Sequence, residues 1–329
     1  MLFSAPTLPE SAYMGKSPEA VLHLALHAAG VGPGEHVLAP CLATSELAGA
    51  LYRAEASPVW IDVHPDNWLL DLDLLEEFLM GHTLLNEEDV LVLRRNHAPV
   101  RAVVAVHLNG NPCDMDRLRF IARRFHLALI EDACEATGAR YAQQPAGVFG
   151  DMGVLCLEGH PSSSGDKGAL LLCEAQELLH NLQKHPLMGR YPEEFHRVHL
   201  SLDRLPVLQE ASAKRDLLRG ILDRWFSQLP DIRWQTVLSQ AEPFCNTISF
   251  VCTRPTALRE ALARAGIGTT SFTPPLNRLP AFRSGTYIRI HDHAQQLFDQ
   301  CIRIPDALEK SEAEWARISE TLRTHFNPA

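Results

Sequence analysis

The segment Gly150–Cys173, GDMGVLCLEGHPSSSGDKGALLLC, places a loop of glycine, serine, histidine, aspartate and one lysine between two apolar runs. Backbone amides and short polar side chains in such a loop suit an anionic cofactor. The loop holds one histidine, His160, and one lysine, Lys167. Asp132 ends the apolar run LALIED, and Glu19 and Glu135 are two further acidic candidates. Three carboxylates brought together would hold a cation or raise one another's pKa. IHDH (His291, Asp292, His293) and the histidines at 180, 185, 196 and 199 also have metal-ligating side chains. The first pair shares a face only in an extended segment, the second set lacks regular spacing, and both read as surface histidines. SSSGDKG lacks the GxxxxGK[ST] order of a phosphate-binding P-loop, and there is no GxSxG elbow or HExxH.

At 329 residues the chain is long enough for a large domain and a smaller one around a substantial core. Hydrophobic residues make up 46% of it and the net charge is -10, which argues against a nucleic-acid or anionic-membrane partner. The stretch MLFSAPTLPESAYMGK has no basic region followed by an apolar run, so a secretory signal is not expected. No apolar segment approaches the roughly 18 residues needed to span a bilayer. The eight cysteines form no CxxC pair, and most lie in apolar contexts such as SFVCT and LLLCE. This usage predicts reduced core thiols in a cytoplasmic protein, without disulfides or structural zinc.

The elements that would carry these residues alternate. SPEAVLHLALHAAGVGPG reads as an amphipathic helix capped by Ser17, with Pro18 at its first position, Glu19 in its first turn and a Gly-Pro-Gly stop. EHVLAP, SPVWIDV, RAVVAVHLNG and LALIEDA read as buried strands. SELAGALYRAEA, DLDLLEEFLMG and DMDRLRFIARRFH read as the helices between them. Such alternation predicts a largely parallel sheet covered by helices. Beyond Glu174 the chain reads as mostly helical as far as SQL. It then reads as strand NTISFVCT, helix TALREALARAG, extended IGTTSFTPPL, and helices AQQLFDQCIRI and SEAEWARISETLRTHF. The expected organisation is an α/β domain over 1–200 and a smaller α+β domain over 201–329.

In this order, LHLALHAAGVGPGEHVLAP, SPVWIDVHPDNW, VVAVHLNGNPCDMDRLRFIAR, LALIEDACEATGARY and FGDMGVL resemble the DegT/DnrJ/EryC1/StrS family of fold-type-I aminotransferases. LREALARAGIGTTSFTPPLNRLPAF resembles the family's small-domain signature. The resemblance covers most of the chain and is weakest over about 175–240. It implies a fold-type-I aminotransferase-like architecture and a homodimer whose sites are completed across the interface. It also implies pyridoxal phosphate (PLP) as cofactor and keto sugars linked to nucleotides as substrates. The chain is short for the family, beginning about 16 residues before the first matched helix.

By this resemblance Asp132 falls at the carboxylate that keeps the pyridine nitrogen protonated. Glu135 replaces a usual glutamine and Thr137 a usual histidine. Ser17, Pro18 and Glu19 match the Ser-Gly-Thr that holds the cofactor phosphate. Here proline removes an N–H, and glutamate places a charge beside a dianion. Like charges about 4 Å apart repel by on the order of 4 kcal/mol at an effective dielectric near 20. Thr44 falls at the aromatic residue that stacks on the ring, and Cys156 at a serine ahead of the Schiff-base lysine. The lysine position itself falls on Pro161, or on His160 with one deletion, while Lys167 comes about six residues late. A branch of the family, keto-sugar dehydratases, replaces this lysine with a histidine base.

The expectation is therefore a homologue with a degenerate cofactor site and no bound cofactor. It would bind a small molecule, such as a nucleotide-sugar-like ligand, or a protein partner. The alternative is an active PLP-dependent sugar aminotransferase or dehydratase using Lys167 or His160.

Overall fold

A computed structural model describes residues 9, 11–157, 168–173, 195–199, 206–226, 229 and 232–326. The first strand, β1 (Ser11–Gly15), leads into α1 (Pro18–Ala28). Ser17 caps α1 by accepting the Ala20 N–H at 3.2 Å, with Pro18 in the first turn, where its missing N–H costs no helical bond. Strand β2 (His36–Pro40), helix α2 (Ser45–Arg53), strand β3 (Ser57–Ile61) and helix α3 (Leu72–His82) follow. A hairpin of β4 (Thr83–Leu85) and β5 (Leu91–Leu93) precedes β6 (Val100–Val106), α4 (Met115–Arg124) and β7 (Ala128–Asp132). Next come the short strands β8 (Arg140–Tyr141) and β9 (Gln144–Pro145), then β10 (Met152–Cys156), β11 (Ala169–Cys173) and β12 (Phe195–His199).

The remainder comprises α5 (Pro206–Trp225), β13 (Ile232–Arg233), β14 (Ala241–Glu242), β15 (Ile248–Cys252) and α6 (Pro255–Arg264). It ends with β16 (Thr286–Ile288), α7 (His293–Gln300), β17 (Cys301–Ile304) and α8 (Glu312–Phe326).

Nine strands form the main sheet in the order β12-β1-β11-β10-β7-β6-β2-β3-β16. The run from β10 to β16 is parallel throughout. β11 is antiparallel to β10 and to β1, so β1 points the same way as the parallel strands. The carboxyl ends of β1, β2, β7 and β10 therefore share one edge, where open α/β sheets bind ligands. β11 serves two cores because its side chains alternate. Leu171 joins the core under α1 and α2, while Leu170 and Leu172 join a second core around Phe226, Phe250 and Trp315.

Several elements differ from those expected. AQQLFDQCIRI is not one helix: α7 stops at Gln300, and Cys301–Ile304 forms β17 against β15. Ile302 and Ile304 alternate into the second core, and this tertiary pairing outweighs the local helical pattern. The stretch expected to be helical contains β12, paired with β1. The segment IGTTSFTPPL contains no helix before Leu276 and makes one bridge, Thr270 to Arg303, which does not contradict the extended reading. Strand β16 returns from the C-terminal part of the chain to pair with β3. Among the described residues no helix is long and apolar enough to cross a membrane.

Candidate functional site

Asp132 closes β7 with its side chain almost fully buried, at 1% exposure. One carboxylate oxygen accepts the Cys134 N–H at 3.1 Å, and the other faces the Thr44 hydroxyl at 3.5 Å. Among the described residues no cationic side chain pairs with it. Burial raises its pKa, the Cys134 contacts oppose that rise, and the Glu135 charge adds to it. Stability linked to Asp132 is thus present below the unfolded carboxylate pKa of about 4 and is lost as pH rises through the higher folded value. Asp132→Asn keeps both contacts in a neutral form. It should raise Tm at pH 7, with the gain shrinking towards pH 4; thermal melts at the two pH values check this.

Thr44 caps α2 by accepting the Leu47 N–H at 3.4 Å, so its hydroxyl serves both the helix start and Asp132. Ser17 uses its hydroxyl to cap α1. Glu19 turns to α2, where its carboxylate meets the Arg53 guanidinium at 2.5 Å. It lies so close against α2 that a Cβ on Gly49 would come within 2.5 Å of its Cδ. Glu135 accepts the Asn109 N–H at 2.7 Å and pairs with Arg303 of β17 at 2.8 Å. Cys156 ends β10, its N–H donating to the Thr137 hydroxyl at 3.1 Å and its carbonyl accepting from it at 3.0 Å. Glu19, Asp132 and Glu135 thus engage separate partners, and no cluster able to hold a metal ion occurs among the described residues.

The structure brings Thr44 to Asp132 and ties Glu135 to a strand 168 residues away. His160 and Lys167 lie outside the described residues, as do His180 and His185. His293 donates its backbone N–H to Asp62 at 2.7 Å, and Asp292 pairs with Arg278 at 2.5 Å and accepts the Tyr287 hydroxyl at 3.0 Å, so IHDH serves the packing of α7.

One constellation was not singled out from the sequence. Glu131, fully buried, accepts the backbone N–H groups of Gly147 (2.8 Å), Phe149 and Gly150. His107 Nε2 donates to the same carboxylate at 3.0 Å, and His107 Nδ1 accepts the Cys113 N–H at 3.1 Å. This bond set fixes the segment that enters β10. Gly153 is required there, because a Cβ at that position would lie 1.8 Å from the Gly147 carbonyl oxygen. The sole sequence signal was a second charged residue, Glu131, beside Asp132 at the end of a buried strand.

The DegT/DnrJ/EryC1/StrS aminotransferase family model matches residues 16–185 and 197–323. The chain belongs to this family. Aminotransferases of the DegT/DnrJ/EryC1/StrS family use PLP. The chain is 33% identical over 157 residues to GDP-perosamine synthase of Caulobacter vibrioides, a match covering 48% of the chain and 38% of that protein. It is 30% identical over 209 residues to the pleiotropic regulatory protein of Geobacillus stearothermophilus, covering 63% and 51%. It is 27% identical over 326 residues to dTDP-3-amino-3,4,6-trideoxy-alpha-D-glucose transaminase of Streptomyces venezuelae, covering 90% and 80%. The chain thus spans about half or less of the length of the first two relatives. A DegT DnrJ EryC1 StrS aminotransferase from Brucella abortus superposes with a TM-score of 0.80 at 20% identity, over 97% of this chain and 87% of that one. The fold is that of the fold-type-I aminotransferases.

Proposed function

We propose that this family member does not transaminate and keeps its pocket as a binding site for a small, nucleotide-sugar-like molecule or a protein partner. The observation that carries this reading is that the described pocket positions are already engaged within the chain. Ser17 caps α1, Thr44 caps α2 and contacts Asp132, and Glu135 holds Arg303. Pro18 offers no N–H to a phosphate, and Thr44 offers no aromatic face. Among these positions Asp132 alone suits PLP, as a buried carboxylate at the carboxyl end of a central strand. The donor set as a whole does not suit the cofactor.

The relatives' names support a sugar-linked ligand, since two of them describe enzymes of amino-sugar synthesis. A third is named as a regulatory protein, in keeping with a role other than catalysis. The reading includes a homodimer, a large domain over 1–200 and a small one over 201–329. It also includes a cytoplasmic setting, supported by eight cysteines all present as thiols. The rival is an active PLP-dependent sugar aminotransferase or dehydratase using Lys167 or His160, and the placement of Asp132 is what favours it. PLP titration followed by borohydride reduction separates the two: the reading proposed here expects no reducible adduct.

A further inference from the structure

The opposite edge of the main sheet holds a cavity of about 770 Å³, where β2, β3 and β16 begin. The first residues of those strands, His36, Ser57 and Thr286, line it, with Arg53 from the end of α2 and Arg95 from the turn before β6. We infer that this cavity is a second binding site, taking a small molecule that carries a phosphate group.

The charge pattern carries the inference. In a chain of net charge -10, the cavity gathers two guanidinium groups against one lining carboxylate, Glu55. Arginine matches phosphate by presenting several N–H donors in a plane. Arg95 already reaches the Thr286 hydroxyl at 3.2 Å, which sets a guanidinium and a hydroxyl side by side. His36 is 8% exposed and donates from Nδ1 to the Ser57 carbonyl at 2.8 Å, so the ring is fixed in place. Tyr52, 66% exposed, stands at the rim and offers a ring face to the body of a ligand. The volume exceeds what a phosphate ion needs and lies in the range of small-molecule sites.

The cavity is also linked to the candidate functional site. Arg53 is the partner of Glu19 in the first turn of α1. A phosphate taking up Arg53 competes with Glu19 for the same guanidinium.

Calorimetric titrations with glucose 1-phosphate, inorganic phosphate and glucose test the inference. Saturable binding of glucose 1-phosphate is expected, with glucose failing to bind and inorganic phosphate binding more weakly. Arg95→Ala, an exposed change, should weaken glucose 1-phosphate binding about tenfold. Glu19→Gln frees Arg53 and should tighten it about two- to fivefold. Arg224→Ala, on α5 and away from the cavity, should leave it unchanged. Absence of saturable binding, indifference to Arg95→Ala, or equal binding of glucose would overturn the proposal. Inorganic phosphate binding as tightly as glucose 1-phosphate would assign the cavity to the free ion and overturn the organic ligand.

Discussion

Glu131→Ala should destabilise the protein by about 3–5 kcal/mol, the scale of removing one partner from a buried charged network. The fully buried Glu131 carboxylate gathers three backbone N–H groups and the buried His107 ring. Deleting it leaves the His107 ring and the Gly147 and Phe149 N–H groups buried and unpaired, at about 1–3 kcal/mol each when unsatisfied, less what relaxation recovers. Glu131→Gln should cost less and still clearly destabilise, because its amide group turns N–H donors towards N–H donors. Chemical denaturation of both variants reads these losses. A change below about 1 kcal/mol for the alanine variant would mean that water replaces the carboxylate and that the network does not hold the β10 segment.

Glu135→Gln comes next in expected effect, at about 2–4 kcal/mol. By the family resemblance this change restores an expected glutamine, which alone would suggest a harmless substitution. Here it strips the counter-charge from Arg303, whose side chain is 13% exposed. Arg303 also donates to Ser249 at 3.3 Å and lies over the Phe272 ring at 4.8 Å, so it cannot simply swing into water. Burial is the largest influence and lowers the Arg303 pKa, but the charge and hydrogen bond of Glu135, with smaller contributions from Cys245 and Cys301, together hold the group above its ordinary value. Arg303→Met should recover part of the loss in the Glu135→Gln background, because the unpaired charge is then gone. Additive effects in the four-variant cycle would show that the two side chains do not act as a pair.

This pair also shows where sequence reading stopped. Glu135 reads as a substituted pocket position, and nothing local signals that an arginine 168 residues later neutralises it. Glu19 likewise reads as a charge facing a phosphate, and the structure shows it against Gly49 and paired with Arg53. Local signals were legible: Ser17 before Pro18 marked the start of α1, and the apolar run ending in Asp132 marked β7. Pairings set by tertiary approach were not legible. β17 was hidden because Leu297, Cys301 and Ile304 keep the helical spacing of α7, and only its partner β15 makes it a strand. The Glu131 network was hidden because three of its four donors are backbone groups, of Gly147, Phe149 and Gly150, which carry no side-chain signature.

The proposed loss of transamination is tested most directly by titrating the purified protein with PLP, reducing with borohydride and mapping any adduct by peptide mass analysis. No covalent adduct, together with no saturable binding at millimolar PLP, is the predicted result. Saturable binding without a reducible adduct would contradict the proposed loss of the cofactor and shift the chemistry to His160. An adduct on Lys167 would contradict the account outright and make this chain a PLP enzyme with a displaced lysine.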